Sequence, residues 1–216
     1  MSNTNPIGLF DSGIGGLTVL KEIKALLPDY DYIYLGDNAR TPYGSRSFEV
    51  IFEYTLEAVK RLFELDCDLI ILACNTASAK ALRTIQQTYL KDLEHEKRVL
   101  GVIRPTTEIA GQISKTKEIG ILATQGTVDS NSYPIEIQKF FPEVKVHQQA
   151  CPLWVPLIEN GENLTPGGEY FIRKDLDALM EKGNIDTIIL GCTHYPIIEH
   201  QIQSYLPNGI QLISQG

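Results

Sequence analysis

Short apolar runs alternate along this chain with longer stretches in which apolar residues recur three and four positions apart. The runs predict strands over Pro6–Phe10, Tyr32–Gly36, Leu69–Ala73, Val99–Val102, Ile119–Ala123, Val144–His147, Thr187–Leu190 and Ile210–Ile213. The amphipathic stretches predict helices over Gly15–Leu27, Ser47–Leu65, Ala77–Tyr89, Pro105–Ile113, Ser130–Phe140, Gly168–Glu181 and Ile197–Tyr205. Strands that alternate with helices give an α/β fold, a mostly parallel sheet wrapped by helices.

The pattern also repeats. Asp68-Leu-Ile-Ile-Leu-Ala-Cys74-Asn75-Thr76 and Asp186-Thr-Ile-Ile-Leu-Gly-Cys192-Thr193-His194 share five of nine positions. Upstream, Ile7-Gly-Leu-Phe-Asp11-Ser12-Gly13 and Ile119-Gly-Ile-Leu-Ala-Thr124-Gln-Gly126 open similar units, 61 and 67 residues before the two aspartates. Buried parallel strands resemble one another because all favour Val, Ile and Leu. The shared strand-to-cysteine ending goes beyond that and points to two related α/β units in tandem. The expected division is 1–98 and 99–209, with 210–216 returning to the first unit. Leu212-Ile213-Ser214-Gln215-Gly216 reads as a strand entering a turn after which a helix would follow, so a shortened chain is expected.

Composition narrows the class. The chain has 216 residues, 43% apolar and 21% charged, with a net charge of −8, which suits a soluble domain or pair of domains. No basic tract of five or more residues occurs, so neither nucleic acid nor an anionic membrane is an expected partner. Apolar runs fall well short of the roughly 20 residues a membrane helix needs. The first residues lack a basic-then-apolar signal, and a cytoplasmic location is expected. The four cysteines, Cys67, Cys74, Cys151 and Cys192, form no C-x-x-C pair and read as reduced thiols.

Ligands of open α/β sheets gather beyond the carboxyl ends of the strands. Polar groups stand there in Asp11-Ser12-Gly13, in the segment from Asp37 through Tyr43 to Gly44, in Cys74-Asn75-Thr76 and in Cys192-Thr193-His194, with Thr124 and Thr127 in a fifth turn. The glycines after Asp11 permit a tight turn into a helix, but the spacing matches neither a Walker loop nor a dinucleotide fingerprint. An isolated cysteine is usually core. Two at equivalent strand ends, each before a helix N-terminus that lowers a thiol pKa, read as reactive. Cys67 and Cys151 lack that context and read as structural. His194 stands close enough in sequence to Cys192 to exchange a proton with it. Zinc on Cys74, Cys192 and His194 is the weaker reading, since a structural site needs a fourth ligand. Asp37 and Glu159 are carboxylates in turn-like contexts, where solvation is the default and electrostatic help to a thiol is the alternative.

Four blocks together resemble the glutamate racemases of the cofactor-independent aspartate/glutamate racemase superfamily. They run Phe10-Asp-Ser-Gly-Ile-Gly-Gly-Leu-Thr-Val19, Gly36-Asp-Asn-Ala-Arg-Thr-Pro-Tyr-Gly44, Ala73-Cys-Asn-Thr-Ala-Ser78 and Gly191-Cys-Thr-His-Tyr-Pro196. The resemblance implies two pseudo-symmetric α/β domains with mainly parallel sheets and an active site in the cleft between them. It implies L- and D-glutamate as substrates, no cofactor and no bound metal, a supply of D-glutamate for peptidoglycan, and leaves a homodimer open. By the same resemblance Cys74 and Cys192 transfer the proton, with Asp11 beside the first thiol and His194 beside the second. Ser12, Tyr43, Gly44, Asn75, Thr76, Thr124 and Thr193, together with Asp11 and His194, hold the substrate, and Asp37 and Glu159 assist. Two other functions stay open at this stage: a dicarboxylate or amino-acid binding protein without the chemistry, and a related racemase or isomerase of another small acid.

Overall fold

In a computed structural model that describes residues 5–93 and 96–215, every predicted strand forms. The first sheet contains β1 (Ile7–Asp11), β2 (Tyr32–Gly36), β3 (Leu69–Leu72) and β4 (Arg98–Gly101), in the order β2-β1-β3-β4. The second contains β5 (Glu118–Ala123), β6 (Lys145–Ala150), β7 (Thr187–Gly191) and β8 (Gln211–Ile213), in the order β6-β5-β7-β8. All pairings are parallel, as expected where a helical crossover joins successive strands.

The two sheets share strand order and register. Phe10 of β1 lies beside Leu35 and Leu72, and Leu122 of β5 lies beside Gln149 and Leu190. These matched positions make Ile7 the counterpart of Ile119 and Cys74 the counterpart of Cys192, as the sequence repeat does. Both ends of the expected division shift, however. Arg98–Gly101 pairs with β3 and completes the first sheet instead of opening the second unit. Gln211–Ile213 pairs with β7 and completes the second sheet instead of returning to the first. The physical reason is the same in each half: a fourth strand satisfies the open hydrogen-bonding edge of the third.

The chain crosses between the halves at Val102. Helix α5 (Ile103–Ile113) then lays Ile103 and Ala110 on Ile119, Ile121 and Ile189 of the second sheet and on Tyr133 and Ile137 of α7 (Ser132–Phe140). In the first half, α2 (Phe48–Glu64) starts at Ser47, whose Oγ accepts the Val50 N–H, and buries Ile51, Val59 and Leu62 against Phe10, Ile70 and Leu72. In the second, α8 (Trp154–Glu159) and α9 (Pro166–Met180) put Trp154, Ile172, Leu176 and Leu179 against Leu122, Ile188 and Leu190.

Two predicted helices, Ala77–Tyr89 and Ile197–Tyr205, come in pieces. The stretch read as Ala77–Tyr89 forms α3 (Asn75–Lys80) and α4 (Leu82–Gln87), which meet at the buried Ala81. A further helix, α6 (Gln125–Asp129), precedes α7 and is separated from it by Asn131 in the left-handed region, φ 53°. The sequence reading missed α8 because Pro152 and Pro156 look like breakers. Pro156 is the third residue of that helix, in a first turn whose N–H groups have no intrahelical acceptor, so a proline is tolerated there.

Candidate active site between the two sheets

The carboxyl ends of the two sheets face one cavity. Its wall brings together Ser12, Tyr43, Gly44, Cys74, Asn75 and Thr76 from the first half with Thr124, Cys192, Thr193 and His194 from the second. Most of the residues singled out from sequence therefore share one space. Asp11, Asp37 and Glu159 stand behind this wall and act on residues that form it.

Cys74 precedes α3, and the Ala77 N–H donates to its Sγ at 3.4 Å, while the thiol itself donates to Ser12 Oγ at 3.4 Å. For Cys192, the backbone N–H of His194, two residues on, favours the thiolate. The sequence reading expected helix N-termini to lower both thiol pKa values. The outcome is the reverse: burial, then the nearby Asp11 carboxylate, raises Cys74 to about 11. Burial also raises Cys192, reinforced by Cys74, Asp11 and Glu159. Hydrogen bonding with Ser12 and the Ala77 N–H pulls the Cys74 value the other way, but desolvation of the thiolate outweighs it.

Asp11 is fully buried at the end of β1. Its Oδ2 accepts the N–H groups of Gly13 and Gly16, each at 3.1 Å, and its Oδ1 accepts the Thr193 hydroxyl at 3.3 Å. One carboxylate thus shapes the turn into α1 (Leu17–Leu26) and ties the first half to the second. Burial raises its pKa, opposed by the Gly16 and Gly13 N–H groups, His194 and Thr193. Asp37 accepts the Tyr43 hydroxyl at 2.5 Å and Arg40 Nε at 2.6 Å, so it fixes a tyrosine of the cavity wall. Glu159, the last residue of α8, accepts His194 Nε2 at 3.0 Å. The His194 ring is thus oriented by Glu159. Among the described residues, no group of three or more His, Cys, Asp and Glu side chains is arranged to hold a metal ion.

Hydroxyls also bridge the halves: Thr76 Oγ1 lies 2.9 Å from Thr124 Oγ1, which donates to Thr127 Oγ1 at 3.1 Å. The Gly126 N–H donates to the Gly44 carbonyl at 2.8 Å.

Sequence reasoning overlooked part of the wall, including Thr41, Gln125, Cys151 and Val155. Thr41 Oγ1 is buried without a protein partner. Cys151, expected to be structural only, is 1% exposed and still borders the cavity. Cys151 directly follows β6, as Asp37 directly follows β2, at a sheet's carboxyl edge, but the apolar pattern ends that strand at His147 and so hides the position.

Residues 14–215 match the Asp/Glu/Hydantoin racemase family. The glutamate racemase of Geobacter metallireducens is 43% identical over 210 residues, which cover 97% of this chain and 75% of that protein. The glutamate racemase of Aquifex aeolicus is 44% identical over 214 residues, covering 97% of this chain and 78% of that one. Among solved structures, glutamate racemase isoform RacE1 from Bacillus anthracis superposes with a TM-score of 0.90 at 37% identity, over 98% of this chain and 77% of that one. Glutamate racemase from Francisella tularensis in complex with D-glutamate gives 0.86 at 37% identity, over 97% and 75%. With one shared cavity, a matching register in both halves and similarity along nearly its whole length, the chain belongs to the Asp/Glu/hydantoin racemase family.

Proposed function

We propose that this chain interconverts L- and D-glutamate by proton transfer between Cys74 and Cys192. The observation that carries the reading is that both thiols stand at register-equivalent strand ends and line one cavity. Curated relatives with about 40% identity are named glutamate racemases, and one of the structural neighbours is bound to D-glutamate. The two sheets act as two units, with the chain crossing at Val102, and the substrate α-carbon lies between them.

In the proposed reaction one cysteine enters as thiolate and removes the α-proton, breaking the C–H bond and leaving the electron pair on carbon. The other enters as thiol and delivers its proton to the opposite face, leaving as thiolate. One C–H bond breaks, one forms, and the two sulfurs have exchanged protonation states. A raised thiol pKa makes the thiolate scarcer but a stronger base, which helps against a carbon acid as weak as an amino-acid α-C–H. Hydroxyls and N–H groups of Ser12, Asn75, Thr76, Thr124 and Thr193 hold the carboxylates and stabilise the developing charge. Asp11 bears on the charge of both thiols, Asp37 holds Tyr43, and Glu159 orients His194. The D-glutamate formed is proposed to serve peptidoglycan synthesis.

The test is α-hydrogen exchange of each glutamate enantiomer in deuterated water, followed by NMR together with optical rotation. Cys74→Ser and Cys192→Ser should each lower racemisation by about 10²- to 10⁴-fold. Full activity in either variant rules out the two-thiol scheme. Binding of glutamate without any exchange would make this a binding protein.

A further inference from the structure

We infer that Tyr133 and Gln215 are positioning residues that lock the side-chain amide of Asn75 against the cavity, an inference that rests on the glutamate reading above. Asn75 directly follows Cys74, opens α3, is 2% exposed and lines the cavity. A side-chain amide can turn over with almost no change of shape, exchanging a pair of donors for an acceptor. For a dicarboxylate ligand that exchange turns attraction into repulsion, so something must fix the amide.

Three side chains close a ring around it. The Tyr133 hydroxyl donates to Asn75 Oδ1 at 2.7 Å, Asn75 Nδ2 donates to Gln215 Oε1 at 2.9 Å, and Gln215 Nε2 donates back to the Tyr133 oxygen at 2.7 Å. Each member gives one hydrogen and receives one. Asn75 cannot turn alone, because its oxygen would then face the Gln215 oxygen. The ring uses one Nδ2 hydrogen and leaves the second for a ligand. Burial raises the pKa of Tyr133, which keeps the phenol a donor.

The ring also spans the molecule. Asn75 belongs to the first half, whereas Tyr133 comes from α7 and Gln215 lies just past β8 in the second. The neighbour of one proton-transfer thiol is therefore set by the half that carries the other. By register Gln215 is the counterpart of Val102, so an amide stands in one repeat where the other has an apolar side chain.

The experiment compares the unaltered chain with Tyr133→Phe, Gln215→Leu and the double variant, measuring KM and kcat for both enantiomers, calorimetric binding of D-glutamate, and thermal melting. Loss of ring hydrogen bonds should raise KM and the D-glutamate Kd by about five- to tenfold in each single variant. The change in kcat should be smaller, and the double variant should be no worse than the poorer single one, as expected for members of one network. Should Tyr133→Phe fail to fold, Gln215→Leu alone carries the test. Variants that melt earlier but keep KM and Kd overturn the inference, as does strict additivity. If the unaltered chain binds D-glutamate without racemising it, the racemase reading fails while the Kd comparison still decides this one. If it binds no glutamate, both fall.

Discussion

At the scale of single residues, the two reactive candidates owe their character to burial more than to helix ends. Cys74 has a backbone N–H that donates to its sulfur and the first turn of a helix beside it, both of which favour thiolate. It is nonetheless 4% exposed and close to the Asp11 carboxylate, and the balance raises its pKa to about 11. Below that pKa the thiolate fraction, and with it the rate of alkylation, rises about tenfold for each unit of pH. Iodoacetamide labelling of Cys74 in the ligand-free protein, followed by peptide mass spectrometry, should therefore be slow near neutrality and climb steadily toward pH 11. A plateau already reached at pH 8 would show an ordinary or lowered thiol pKa. The residues that speak for themselves in the sequence are those, like Cys74 and Cys192, whose chemistry is paired by the repeat. Thr41 and Cys151 do not, because only the folded wall reveals which side chains of a turn point inward.

Among the elements, the opening aspartate of each repeat illustrates how much structure the motif carries apart from chemistry. Asp186, just before β7, accepts the Ser114 hydroxyl at 2.7 Å and the N–H groups of Lys115 and Thr116 at 2.7 and 2.9 Å. It thereby fastens the turn between α5 and β5 to the strand. Burial pushes its carboxyl up, but Ser114, the Thr116 and Lys115 N–H groups and Thr187 together bring it down to about 2, from an ordinary 3.8. A depressed folded pKa means stability that is present above pH 3.8 and lost as the pH falls through about 2. Asp186→Asn should cost about 1–2 kcal/mol in urea unfolding at pH 7, and the gap from the unaltered chain should close toward pH 2. An undiminished gap at low pH would mean that packing, not the charge, is what the substitution removes. The central strands β1, β5 and β7 were legible because burial on both faces leaves continuous apolar runs. Helices were less so. Ala81 ends one helix and begins another through tertiary packing that no local pattern encodes, and α8 hid behind Pro152, which precedes its N-cap, and Pro156, which its first turn accepts. Strand pairing was beyond reach too: apolar residues at 210–213 predict a strand but not which sheet edge it joins.

For the whole molecule, the question is how closely the halves must approach for the chemistry to proceed. Gly15, in the turn after β1, meets the loop that follows β7. A methyl group there would stand 2.5 Å from Thr193 Oγ1, 2.9 Å from the Thr193 carbonyl carbon and 2.9 Å from His194 Nδ1. A hydroxyl can rotate away, but a backbone carbon cannot, so relief requires the two loops to separate. These loops hold Ser12 on one side and Thr193, His194 and Cys192 on the other. They are also joined by the Thr193–Asp11 hydrogen bond, which the same movement would stretch. The proposed proton transfer between two sulfurs and one carbon demands near-contact geometry, and a displacement of about 1 Å can cost on the order of 10²-fold in rate. Gly15→Ala should therefore depress racemisation by about that factor while the protein still folds, with a loss of about 1–3 kcal/mol from overpacking. Gly167→Ala is the matched control: it lies in α9, nothing but Thr165 Oγ1 at 4.0 Å lies near the added methyl, and helix propensity favours the alanine. It should leave activity unchanged and stability equal or slightly higher. Were Gly15→Ala to racemise at the full rate, the halves would have to be free to separate without consequence, and a cavity closed by contact between two matched loops could not be what brings Cys74 and Cys192 to opposite faces of one carbon.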